Sequence, residues 1–118
     1  MLPEGIMGHA TCQDLVQCAF KLNEFEVDVY RKLLEIGPNR ADELAEALNK
    51  DRSTVYRSLQ KLLSCGLSYR ETKSLERGGY FHVYIALSKE KLRERLELCV
   101  KEWHDHMRSL LARFDETF

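Results

Sequence analysis

No run of apolar residues in this sequence approaches the ~20 needed to cross a bilayer. No basic segment followed by an apolar stretch opens the chain, so no signal peptide is expected, and the expected location is the cytoplasm. The four cysteines, Cys12, Cys18, Cys65 and Cys99, include no C-x-x-C pair, which argues against a zinc knuckle or a thioredoxin-like site. In a reducing compartment they are expected to be small buried apolar residues. Also missing are a glycine-rich phosphate loop, an H-E-x-x-H and a G-x-S-x-G, so nothing points to catalysis. No cofactor and no metal is expected. There is no internal repeat and no low-complexity tract. Charge of one sign is lacking too: the net value of -1 excludes a chain that is basic throughout.

What is present is ordinary in total and uneven in distribution. With 118 residues, 44% of them hydrophobic, the chain suits one compact domain spanning 1–118 around one core. Residues 1–49 carry four Lys/Arg against nine Asp/Glu, for a net -5. Residues 50–79 carry seven against three, for a net +4, and residues 80–118 carry seven of each. A positive block inside a near-neutral chain is the footprint of a local nucleic-acid-binding face.

That block overlaps the stretch around which the chain is organised, Asn39 to Gly66. Ala41, Leu44, Ala45 and Leu48 fall on one helical face, as do Val55, Leu59, Leu62 and Leu63 further on. Between them Asn49 tolerates the left-handed conformation that ends a helix, and Asp51 is a good N-cap for the next. Two short helices joined in this way form a helix-turn-helix. At about 100° per residue, Ser53, Arg57, Gln60 and Lys61 point away from the apolar stripe, Thr54 and Tyr56 flank them, and Arg52 sits in the first turn. These types reach base edges and phosphates in a major groove. A solvated bundle helix is also polar outside, but such faces usually mix Glu with Lys, and residues 52–65 contain no Asp or Glu. Arg40 and Lys50 add cations at the ends of the preceding helix.

The flanks complete the outline. Residues 1–9, with Pro3, Gly5 and Gly8, are expected to be a flexible N-terminus. Cys12, Leu15, Val16, Ala19 and Phe20 make an amphipathic stripe on a helix over about 10–21. Asn23 and Glu26 form a capping box for the next helix, which Gly37-Pro38 ends. After Cys65-Gly66 the period changes to strand-like alternation through Leu67, Tyr69 and Glu71, and Tyr80 to Leu87 is β-branched and aromatic. The segment Lys73 to Gly79 between these runs is a charged hairpin tip, with Gly78-Gly79 supplying turn conformations. A helix-turn-helix followed by this hairpin is a winged helix over 23–87, mainly α with a small β-hairpin wing. Lys73 and Gly78 belong to the wing, and Arg77 at its tip suits a minor groove. An exposed charge that keeps a hairpin tip soluble would look the same.

Ser88 caps a last helix over about 88–116. Leu92, Leu96, Cys99, Trp103, His106, Leu110 and Phe114 lie close to a coiled-coil seam, widened by Val100, Met107 and Leu111. So broad a stripe exceeds what a small winged helix can cover. A second copy of the chain is the expected partner, with Leu15, Val16 and Phe20 of the first helix joining the interface.

The segments Leu22-Asn-Glu-Phe-Glu-Val-Asp-Val-Tyr30, Leu44-Ala-Glu-Ala-Leu48, Asp51-Arg-Ser-Thr-Val-Tyr-Arg-Ser-Leu59 and Leu63-Ser-Cys-Gly-Leu67, with the wing and the Tyr84 to Leu87 strand, resemble the DNA-binding domain of the TrmB-like family. These are mostly archaeal winged-helix regulators, related more distantly to MarR-type proteins. The resemblance covers roughly residues 20–115. It implies a sequence-specific, DNA-binding transcriptional regulator acting as a homodimer on double-stranded DNA, and two-fold pairing of the recognition helices makes an inverted-repeat operator the expectation. Arg52, Ser53, Thr54, Tyr56 and Arg57 fall on the family's recognition helix and Arg77 on its wing. Many relatives have Gly and an apolar residue where this chain has Asn49-Lys50. Many also carry a C-terminal sugar-binding domain that is not seen here, so sugar sensing is not expected.

Two other functions fit parts of the pattern. A metal- or thiol-redox-responsive regulator would use Cys99 and His106, seven apart on the last helix. His104 and His106 differ by about 200° around that helix, so one chain cannot chelate with both. A winged helix used as a protein adaptor in the transcription machinery would lack a basic recognition face, against which the acid-free stretch counts.

Overall fold

A computed structural model of the chain describes residues 10–118, so the expected flexible segment 1–9 lies outside the described residues. Helix α1 (Cys12–Phe20) starts with a capping box that sequence reading missed: the Thr11 hydroxyl accepts from the Asp14 N–H at 3.2 Å, and the Asp14 carboxylate accepts from the Thr11 N–H at 2.9 Å. In α2 (Glu24–Ile36) the expected box forms, Asn23 with Glu26, at 2.7 and 2.8 Å. Gly37 ends α2 at φ 83, where a side chain would be strained.

Helix α3 (Ala41–Leu48) ends on Asn49 in the left-handed region, φ 54 and ψ 46, so the departure from Gly in the turn is absorbed by a residue that tolerates this conformation. Asp51 then caps α4 (Arg52–Ser64), its carboxylate accepting from the Thr54 N–H at 2.7 Å. Strands β1 (Ser68–Ser74) and β2 (Tyr80–Ala86) pair antiparallel, from Ser68 opposite Ala86 to Ser74 opposite Tyr80. Ser88 caps α5 (Lys89–Ala112). The last helix is not continuous to residue 116. Arg113 leaves the helical region at φ -106 and ψ 14, its N–H takes the tighter bond to Leu110 O at 3.1 Å, and α6 (Phe114–Thr117) follows. The fold is a mainly helical winged helix-turn-helix with a long C-terminal helix.

Val29, Leu33, Leu44, Val55, Leu59, Leu62, Leu67 and Tyr84 form the centre of the core, joining α2, α3, α4 and the base of the hairpin. Each buried Val or Leu contributes about 1.5–3 kcal/mol relative to exposure. The hairpin is held by two contacts that no local pattern announces. Asn39 pairs with Tyr84 as an extra strand residue, N–H to O at 3.1 Å one way and 2.8 Å the other. The Tyr30 hydroxyl donates to Leu87 O at 2.6 Å.

Three expectations need correction. Val16 and Leu92, each 8% exposed, are buried in the core of their own chain, and Phe20 and Leu96 pack against that core. Helices α1 and α5 meet within one chain, so these four offer a partner little free surface. Cys12 and Cys18 are exposed and Cys99 half-buried, since their helices turn them off the core stripe, while Cys65, the residue that ends α4, is half-buried against the core. Into and along β1, burial does not alternate: Leu67 just before the strand and Ser68 at its start are both buried and every residue from Tyr69 to Ser74 is exposed, because the hairpin projects beyond the body.

Candidate nucleic-acid interface

The outer face of α4 carries Arg52, Ser53, Tyr56 and Arg57, all exposed. Its cap presets the first turn. The Ser53 hydroxyl donates to the Asp51 carboxylate at 3.0 Å, and the Arg52 guanidinium lies 5.7 Å from the Tyr56 ring centre. Hydrogen bonds from Thr54, then from Ser53, hold the Asp51 carboxyl below its ordinary range, with the nearby Arg57 charge acting the same way. Thr54, Gln60 and Lys61 are half-buried rather than open, a correction for Gln60 and Lys61. The Gln60 amide nitrogen is enclosed without a hydrogen-bond partner, a condition that costs about 1–3 kcal/mol until the side chain turns to an acceptor.

Most of the cations here are unneutralised. Among the described residues, none of Lys50, Arg52, Arg57, Lys61 and Arg77 has a carboxylate within ion-pair distance. Arg40 and Lys73 do, at 3.7 Å from Asp42 and Glu71 respectively, with half-exposed side chains on both sides. Pairs so exposed are worth little and exchange easily. At the hairpin tip Gly78 and Gly79 both take positive φ, 91 and 84, and the Gly78 N–H donates to Leu75 O. Arg77 is exposed.

Between α4 and the wing lies an open cleft of about 240 Å³, lined by Arg40, Asp42, Arg52, Tyr56, Tyr80 and His82 among others. The Arg40 guanidinium stacks 4.6 Å from the Phe81 ring centre, and His82 Nδ1 is 3.1 Å from Thr72 Oγ1 across the hairpin. Sequence reading missed Tyr80, Phe81 and His82. The signal that marks two of them is the alternation Tyr80, His82, Tyr84 on one side of β2.

The other set of candidate residues lies on α1, α5 and α6. Leu15, Trp103, Leu110 and Phe114 are exposed, Trp103 at 55%, while Cys99 and Met107 are half-buried. Met107, Leu110, Leu111, Phe114 and Phe118 line an apolar groove, with the rings of Phe114 and Phe118 stacked at 5.0 Å. His106 is exposed. Among the described residues no three His, Cys, Asp or Glu side chains converge as metal ligands, and no helix is long and apolar enough to cross a membrane.

A winged helix-turn-helix with an acid-poor, outward second helix is the architecture of a transcriptional regulator. The sequence profile described as sugar-specific transcriptional regulator TrmB matches residues 16–90, and the chain belongs to that family. An uncharacterized protein of Methanocaldococcus jannaschii is 36% identical over 106 residues, spanning 90% of this chain and 88% of its own. Among solved structures, a possible transcriptional regulator from Methanosarcina mazei Go1 superposes with a TM-score of 0.78 at 29% identity, over 86% of each chain. The multiple antibiotic resistance repressor MarR shares the fold alone, with a TM-score of 0.50 at 16% identity over 95% of this chain and 86% of its own. The family and these named regulators are not enzymes.

Proposed function

We propose that this chain is a cytoplasmic, sequence-specific regulator that binds double-stranded DNA as a homodimer. The observation that carries the reading is the outer face of α4: exposed Arg52, Ser53, Tyr56 and Arg57, with no acid within the helix. In the major groove Arg57 is suited to a guanine edge, and Ser53, Thr54 and Gln60 to base edges or phosphates. Lys50 and Lys61 supply phosphate contacts from either end of the helix, and Lys73, Arg77 and the backbone at Gly78 supply the wing. The strand of backbone dividing a major from the adjacent minor groove passes between a recognition helix and a wing. The cleft holding Arg40, Arg52 and His82 lies there, with Asp42 giving up Arg40 to a phosphate.

The exposed seam from Trp103 to Phe114 supports the dimer. Two-fold pairing is the commonest way to cover such a face. It sets two recognition helices about 34–36 Å apart, or a multiple of that, hence an inverted repeat. The test is selection from a random duplex library, followed by titration of the winner at several salt concentrations. An enriched inverted repeat, bound with log affinity falling linearly in log salt, is the expected result. No enrichment together with salt-indifferent binding removes the reading.

A further inference from the structure

Helix α5 leaves the body of the domain early. Leu92 is buried and Leu96 packs on the core, while beyond them only Cys99 and Met107 are less than exposed. The direction of this helix is therefore set in its first two turns. Apolar contacts such as those of Leu92 and Leu96 are non-directional and tolerate rocking. Arg95 is different. Its guanidinium donates from Nη1 to Gly66 O at 2.9 Å and from Nη2 to Cys65 O at 3.0 Å, and it stacks 5.4 Å from the Phe20 ring centre. It thus grips the C-terminal end of α4 and touches α1 at once. Among the described residues it is the only α5 side chain hydrogen-bonded to another element. Gly66 makes the approach feasible, since a Cβ there would sit 2.9 Å from Nη1. A planar fork on two neighbouring carbonyls defines an angle, and a positive charge there also favours the end of a helix.

We propose that Arg95 is a positioning residue that fixes the angle between α5 and α4 and so determines which half-site spacing the dimer accepts. The proposal rests on the reading above, in which α5 holds the dimer and α4 reads the DNA. With α5 seated on its symmetry mate, the orientation of each α4 on its own α5 sets the separation of the two recognition helices. Any looseness counts twice, once in each protomer.

The test compares full-length wild type, Arg95→Lys and Arg95→Gln on the selected half-site alone and in inverted pairs, with the spacing stepped one base pair at a time. Lys keeps the charge without the fork, and Gln keeps neither. The wild type is expected to lose roughly tenfold in affinity away from its best spacing. Both variants are expected to flatten that loss to about threefold or less while binding the single half-site within about twofold of wild type. A spacing profile unchanged in both variants overturns the proposal. So does an equal loss on half-sites and all pairs, which is the mark of a damaged recognition helix. A DNA-free measurement separates this failure from failure of the DNA reading. Nitroxide amino acids at Lys50, in the turn before α4, and at Glu102 on α5, diluted with unlabelled protein, report the geometry of the helix-turn-helix relative to α5 as a distance distribution. Broadening in both variants is expected, and an unchanged width overturns the role of Arg95 whatever the protein does with DNA.

Discussion

The hydroxyl of Tyr30 and the carbonyl of Leu87 meet at 2.6 Å, joining α2 to the end of the wing across 57 residues. Burial, then the charge of Glu90, pushes the Tyr30 phenol up from 10.0 to about 12. The fold therefore favours the protonated phenol. The stability this contributes is complete below pH 10 and is lost as pH rises towards 12. Tyr30→Phe leaves the Leu87 carbonyl unpaired and is expected to cost about 1–3 kcal/mol at neutral pH. Chemical denaturation at stepped pH values checks it: the gap between wild type and variant should narrow between pH 10 and 12, and a constant gap contradicts the assignment.

Asp51 behaves in the opposite sense. Its carboxyl is held below 3.8 by bonds from Thr54 and Ser53, so the capped form is favoured above that pH and the contribution fades as pH falls further. Asp51→Ala should unfold at a lower temperature than wild type at pH 7. The two melting curves should converge in strong acid.

Arg57 and Lys61 are expected to separate specificity from affinity. Arg57→Ala should cost about 1–3 kcal/mol and relax base preference at one position. Lys61→Ala should weaken all sequences alike and lower the salt slope by about one. Binding to the selected duplex and to its single-base variants distinguishes the two. A Lys61 variant with altered base preference would reverse the roles.

The wing is expected to matter for binding and not for folding. Residues Leu75 to Gly79 are all exposed, and replacing them by a two-residue turn removes Arg77 but no core contact. Thermal unfolding should be nearly unchanged while DNA affinity falls. Equal affinity of the trimmed and full-length proteins would mean that the wing only stabilises.

Trp103 and Leu110 carry the dimer in this scheme. Leu110→Glu, or Trp103→Ala, is expected to weaken association by about 2 kcal/mol or more, as truncation of a central anchor does. The resulting monomer should show roughly half the salt slope, because it meets half the phosphates. Sedimentation of the wild type at micromolar concentration is the direct check, and a clean monomer there removes the two-fold model.

Most of the local order was legible in the sequence because its causes lie within a few residues of each other. Asn23 with Glu26, Asn49 before Asp51, and Ser88 are each fixed by bonds inside one turn. The apolar spacing of Leu44, Val55, Leu59 and Leu62 marks the face that must be covered. The same periodicity cannot say what covers it. Val16 and Leu92 carried the same stripe signal as Leu110, yet two of them close on their own chain and the third is left exposed. Only the packing of α1 and α5 onto the core decided which. The tertiary structure likewise brought Asn39 to Tyr84, Arg40 to Phe81, and Arg95 to Gly66. Those contacts join residues far apart in the chain, and their geometry depends on where whole elements settle around the core.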